Sequence, residues 1–246
     1  MPDKELFNQH ISQQFNAELE EIRTQLLEMG GLVEKQINDA IVALIEGDAK
    51  LAEQVREKDD AINKMELDID QECMRILARR QPAASDLRLV ISITKIIVDL
   101  ERIGDEASKI ARRAIDLVEA GQAPKGYVEC RHIGHHVRRM VQESLDAFAR
   151  MDTEQAFAVA REDKSVDQEY KSAMREMITF MMEDPRSITR VLNILWVLRS
   201  LERVGDHARN VAEHVIYLVK GTDVRHIGLK RMEAEVRRET RVDEPE

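Results

Sequence analysis

The hexapeptide Leu100-Glu101-Arg102-Ile103-Gly104-Asp105 returns 101 positions later as Leu201-Glu202-Arg203-Val204-Gly205-Asp206. Ala107/Ala208 and Ala111/Ala212 extend the match to seven of 13 positions. Upstream, residues 30–63 align with residues 134–167 at a constant offset of 104. The seven identities in those 34 positions are Gly30/Gly134, Val33/Val137, Ala43/Ala147, Asp48/Asp152, Ala52/Ala156, Val55/Val159 and Asp59/Asp163. Average composition gives about two by chance. A chain that repeats itself in this way folds as two equivalent units. The change of offset from 104 to 101 marks a shorter approach to the third element of the second unit.

Helix signals divide each unit. Gly and Pro number 10 and 5 in 246 residues and aromatics are 4%. Leu, Ile, Ala, Met, Glu and Arg, which lose little rotamer freedom in a helix, are plentiful. Gly47-Asp48 reads as a helix end followed by an N-cap. Pro82 ends the next segment, and Gly121 with Pro124-Lys125-Gly126 ends the third. Asp152 with Gln155 has the form of a capping box, Asp184-Pro185 that of an N-cap before a proline, and Gly221 closes the last long segment. These signals predict helices at 5–46, 49–80, 84–120, 128–151, 153–183 and 186–220, with a short one at 228–238 before the tail frays. The expected fold is all-α: two tandem pseudo-symmetric three-helix bundles, six long helices in all. The first occupies residues 1–122, the second 123–222, and 223–246 form a C-terminal tail. Internal Gly and Pro and the lack of sustained heptads argue against one continuous coiled coil.

Composition narrows the function. A net charge of −10 opposes nucleic-acid binding, which needs a basic footprint. Cys73 and Cys130 fall in no paired motif, as in a reducing compartment. The first residues lack the order of a signal peptide. The longest apolar stretch, residues 89–100, is broken by Lys95 and Asp99, so no membrane span is expected. No phosphate-cradling Gly-rich loop, Walker motif or nucleophile elbow is present.

The duplicated hexapeptide carries the candidate chemistry. Glu101/Asp105 and Glu202/Asp206 each stand four residues apart, on one helix face. Like charges so placed cost roughly a few tenths of a kcal/mol unless a cation neutralises them. Gly104 and Gly205 each cost about 1 kcal/mol against Ala in a helix, and would let a neighbouring helix come close. Apolar neighbours Val90, Ile97, Leu195 and Leu198 imply partial burial, where unpaired carboxylates are costly. A carboxylate-lined metal site follows, suited to Mg²⁺, Mn²⁺, Ca²⁺ or iron. Against it, the bare spacing also occurs at Glu66/Asp70, Asp163/Asp167 and Glu239/Asp243, and Arg102, Arg203 or Lys109 could simply pair with these acids on a solvated face. Asp59 and Asp163 are equivalent and offer further ligands. Asp99 precedes the first motif where Ser200 precedes the second, so the second site is expected to hold fewer or weaker-bound ions.

Other features are less specific. Glu129-x-x-His132, with His135 and His136 nearby, presents once a motif that di-iron bundles need twice. Met174, Met177, Met181 and Met182 read as adaptable core, Trp196 and Tyr170 as core or interface anchors, and Arg79-Arg80 and Arg138-Arg139 as solvated pairs.

In combination, several stretches closely resemble the PhoU family of bacterial phosphate-transport accessory proteins. They are Gln14-Phe15-Asn16-Ala17-Glu18-Leu19-Glu20, Met29-Gly30-Gly31, Arg79-Arg80-Gln81-Pro82 before Ala84-Ser85-Asp86-Leu87-Arg88, the twin Leu-Glu-Arg-x-Gly-Asp motifs, Asp146-Ala147-Phe148-Ala149-Arg150-Met151-Asp152 and Arg161-Glu162-Asp163-Lys164. The resemblance runs from about residue 8 to residue 228. It implies paired three-helix bundles, usually dimeric, in a cytoplasmic protein at the inner face of the cell membrane. The implied partners are the phosphate ABC transporter and a sensor histidine kinase, and the implied role is negative regulation of phosphate uptake and of the phosphate-starvation regulon. Multinuclear metal clusters at the acid-x-x-x-Asp motifs are implied too, mapping onto Glu101/Asp105 and Glu202/Asp206. Two other readings compete: a carboxylate-bridged metalloenzyme of the ferritin-like kind, and a metal-free helical scaffold.

Overall fold

The computed structural model describes residues 3–121 and 127–238, with side chains from residue 13 onward. The stop expected at Pro124-Lys125-Gly126, the fraying tail end and the Glu239/Asp243 spacing lie outside the described residues. The helices are α1 (Asp3–Glu46), α2 (Ala49–Arg80), α3 (Ala84–Glu119), α4 (Val128–Arg150), α5 (Thr153–Glu183), α6 (Ile188–Lys220) and α7 (Leu229–Arg237). Among the described residues there is no strand.

The repeated identities explain the turns. Ala43 O accepts from Asp48 N at 3.0 Å, Asp48 O accepts from Ala52 N at 3.0 Å, and the Asp48 carboxylate caps Leu51 N. In the second unit Ala147 O accepts from Asp152 N at 2.9 Å, Asp152 O from Ala156 N at 3.1 Å, and the Asp152 carboxylate caps Gln155 N. Of the capping box expected at Asp152, the carboxylate half is thus formed. The left-handed residue each turn requires is Gly47 (φ 69°) in the first unit and Met151 (φ 54°) in the second. The sixth helix differs slightly from expectation. Asp184 caps a single 3-10 turn, Pro185–Ser187, and α6 begins only at Ile188.

Helices α1, α2 and α3 pack on one another, as do α4, α5 and α6. The sets join because α3 lies along α6 and α1 crosses α4, giving one continuous apolar core. Helices α2 and α5 flank it on opposite sides. The α1–α4 crossing shows the symmetry at atomic scale. A Cβ on Gly30 would meet Leu145 at 2.7 Å, and one on Gly134 would meet Ile41 at 2.9 Å. Gly30/Gly134 and Ile41/Leu145 are both related by the offset of 104, so each contact is the other with the partners exchanged, as across a two-fold axis. The tail is not peripheral. Val224, Met232 and Val236 are buried, and α7 packs against α5 and α6.

Two expectations fail. Met182 is 79% exposed and does not belong to the core; Trp196, 59% exposed, keeps only the interface half of its expected role, while Tyr170 packs against the core. Both exposed residues sit near the α5–α6 turn, on faces that no other helix of the described chain covers. Arg80 is no solvated pair member, since Nε and Nη2 grip both oxygens of Glu18 at 2.9 and 2.7 Å, tying α2 to α1.

Candidate metal centre

Helix α3 carries Glu101 and Asp105, and α2 lies alongside with Asp59, Asn63 and Glu66. Those α2 residues recur at intervals of four and three and so share one face. Burial pushes the Glu101 carboxyl above the usual carboxylate range, and the charges of Asp105, Glu66 and Asp59 push it further, with Arg102 opposing. Glu66 is raised by burial and then by Asp70. The second unit repeats the arrangement on α5 and α6. Burial raises Glu202, then Asp206, Asp167 and Asp163 add to it, with Arg199 opposing. Asp206 keeps an exposed edge, yet the crowding around it raises it, and Asp163 and Asp167 add to the shift.

Two of the spacings that weakened the sequence argument thus lie beside the duplicated pairs. Glu66 lies within electrostatic reach of Glu101, and Asp163/Asp167 within reach of Glu202 and Asp206. The equivalence of Asp59 with Asp163 and the shared four-residue spacing on the adjacent helix were the available signals.

Pairing with basic residues is partial. Arg102 stands 3.7 Å from Glu101 and Lys109 3.8 Å from Asp105, both on exposed stems. Arg203 turns instead to buried Glu106 at 3.2 Å, which Lys109 also meets at 3.1 Å. Arg199 donates to Glu202 Oε1 at 2.7 Å, and Arg209 to Asp163 Oδ2 at 3.0 Å. Gly104 allows a close approach, since a Cβ there would stand 3.0 Å from Gln36 Oε1; at Gly205 the nearest atoms, on Val166 and Val137, are at ordinary distances.

Asp99 does not join the first cluster. Its buried carboxylate faces α6, accepting from His207 Nδ1 at 2.8 Å and Asn210 Nδ2 at 3.0 Å, with His214 Nε2 at 3.5 Å. Burial pushes Asp99 up, but the hydrogen bonds from His207, His214 and Asn210 outweigh it and hold the group below its usual value. Two residues along a helix turn a side chain about 200° away from Glu101, which is why adjacency in sequence misleads here. Two of the three histidines of α4 are also engaged. His136 lies between Glu162 at 3.0 Å and Glu169 at 3.1 Å, and His132 is 3.5 Å from Glu169.

The donor set fits a hard cation: carboxylates supply oxygens, and Glu202 Oε2 is buried with no hydrogen-bond partner. Among the described residues no three acids, histidines or cysteines already stand close enough to grip an ion. Loading would require the carboxylates to turn inward.

Fold and site together define a class: duplicated helical bundles carrying one acidic cluster per unit. The PhoU domain matches residues 26–114 and again 130–215. The chain is 70% identical to the phosphate-specific transport system accessory protein PhoU homolog of Pseudomonas aeruginosa, over 96% of this chain and 98% of that one. It is 52% identical to the Escherichia coli accessory protein PhoU, over 90% and 91%. The crystal structure of PhoU from Pseudomonas aeruginosa superposes with a TM-score of 0.83 at 71% identity, covering 85% of this chain and all of that one. The phosphate transport system regulatory protein PhoU from Streptococcus pneumoniae gives 0.79 at 34% identity, over 85% and 99%. The chain belongs to the PhoU family.

Proposed function

We propose that this protein is a non-enzymatic accessory subunit of a phosphate-specific transport system, which restrains phosphate uptake and keeps the phosphate-starvation regulon off. It does so by contacting both the cytoplasmic side of the phosphate ABC transporter and a sensor histidine kinase. The observation that carries this reading is the match of both halves to one domain, within a chain aligned almost end to end with accessory proteins of such systems. No helix of the described residues is long and apolar enough to cross a membrane. A place at the inner face would therefore come through partners, and a homodimer would double the docking surface. Units at 1–122 and 123–222 present two long outer helices, α2 and α5, on opposite sides of the core, suited to two partners at once. Signalling requires that partner affinity differ between phosphate-replete and starved states, because equal affinity shifts neither. Cations held at Glu101/Asp105 and Glu202/Asp206 would neutralise both clusters and stiffen the helix pairs that carry them.

The test is genetic. Deletion is expected to leave phosphate-starvation genes on in phosphate-rich medium, and only when the kinase is present. Repression that survives the deletion, or activation that persists without the kinase, would refute the proposal.

A further inference from the structure

The two acidic clusters match in their carboxylates but not in what surrounds them. Asp59 is held by a neutral amide: Gln36 Nε2 donates to its Oδ1 at 3.0 Å and to Val55 O at 3.2 Å. At the position equivalent to Gln36 the second unit has Met140, and Asp163 is held by the Arg209 guanidinium instead. In the first unit Ser108 occupies the place of Arg209, and Val98 the place of Arg199. The second cluster thus contains two arginines in hydrogen-bond contact, whereas the nearest cations of the first stand 3.7 and 3.8 Å off on exposed stems.

The first cluster also has oxygens to spare. Gln36 is only 2% exposed and its Oε1 has no hydrogen-bond partner. The buried Asn63 Oδ1, on the helix face of Asp59 and Glu66, has none either, nor has Ser108 Oγ, one turn beyond Asp105. Buried acceptors are rarely left without a donor, and amide and carboxylate oxygens together are the ligand set of hard divalent cations. In the second unit the corresponding orphan is Glu202 Oε2 alone among the cluster's carboxylates.

We propose that the units differ in cation affinity: Asp59, Glu101 and Asp105, with the amide oxygens of Gln36 and Asn63, form the tighter site. Two of the second cluster's four carboxylates, Glu202 and Asp163, are paired from within by Arg199 and by Arg209, which also bonds Glu213, and a cation entering the cluster must displace these arginines. This rests on the reading that the carboxylate clusters bind metal at all.

The test uses Mn²⁺ and the full-length chain, with calorimetric titration for affinity and circular dichroism to verify folding. E202Q/D206N, which retains the first cluster, is expected to bind Mn²⁺ about tenfold or more tightly than E101Q/D105N, the scale on which neighbouring groups tune metal sites. Val98 is 42% exposed, so V98R tests the charge argument without disturbing the core. Placed in E202Q/D206N it should weaken binding about tenfold, and R199V placed in E101Q/D105N should strengthen it. Equal affinities in the two half-site variants, a reversed order, or indifference to V98R would overturn the proposed division while leaving metal binding intact. A wild-type chain that takes up no Mn²⁺ would overturn both it and the metal reading.

Discussion

Acid titration separates two kinds of carboxylate. Glu101, Glu202 and Asp206 titrate above their ordinary values of 4.5, 4.5 and 3.8, so the folded chain binds their protons more tightly than the unfolded chain does. Their penalty is present at neutral pH and is relieved as pH falls through the raised values. Asp99, Glu18 and Glu162 are lowered, so their stabilisation is present above the unfolded values and lost as pH falls through the folded ones. The metal-free protein should therefore gain stability on mild acidification below pH 7 and lose it in stronger acid. E101Q should raise stability at pH 7 by roughly a few tenths of a kcal/mol and flatten the acid-side rise, as followed by denaturant melts across pH. Asp99→Ala tests the opposite role. It strips the acceptor from His207 and Asn210 inside the α3–α6 interface and should cost about 3 kcal/mol, with Mn²⁺ stoichiometry unchanged. A loss of bound Mn²⁺ in that folded variant would return Asp99 to the ligand set.

Helix crossings are set by residues with no functional groups. At Gly30 an added methyl group would lie 2.7 and 2.8 Å from the terminal methyls of Leu145, whose buried side chain would have to turn aside against its packed neighbours. Overpacking of this kind costs about 1–3 kcal/mol, more than the gain of about 1 kcal/mol that Ala brings to a helix. Gly31, next along α1, has nothing within 4 Å of its would-be Cβ. Gly30→Ala should thus destabilise and Gly31→Ala stabilise by about 0.5–1 kcal/mol, a difference of sign between neighbours that thermal melts would show. Gly134→Ala should follow Gly30→Ala, because Ile41 stands to it as Leu145 stands to Gly30.

For the whole molecule, the α3–α6 and α1–α4 contacts make the duplicated units interdependent. Each unit alone would expose its side of the contact in which α3 lies along α6, where buried Asp99 meets His207 and buried Glu106 meets Arg203. Equilibrium unfolding should accordingly be one cooperative transition, with far-ultraviolet dichroism and the fluorescence of Trp196 changing together. Two separated transitions would mean that the interface contributes little.

Much of this was legible in the chain, because helix caps and breakers act over a few residues and their effects do not depend on the rest of the fold. The turn at Gly47-Asp48, the cap at Asp152 and the stop at Gly221 appear where local chemistry puts them, and all six long helices end within two residues or so of the expected points. Duplication could likewise be read directly, since equivalent positions keep equivalent packing duties. The sequence by itself also picked out Glu101/Asp105 and Glu202/Asp206 as like-charged pairs on partly apolar faces. It offered Asp59 and Asp163 as further ligands, but it could not show that Glu66 and Asp167 also come within electrostatic reach of these pairs, nor that Asp99 turns away toward α6. Neither could it reveal that Gln36 serves in one unit where Arg209 serves in the other. Those outcomes depend on how helices rotate and cross, which is decided by side chains meeting across distances of 20 to more than 100 residues. Spacing along one helix specifies which residues share a face; only the packed structure decides what that face meets.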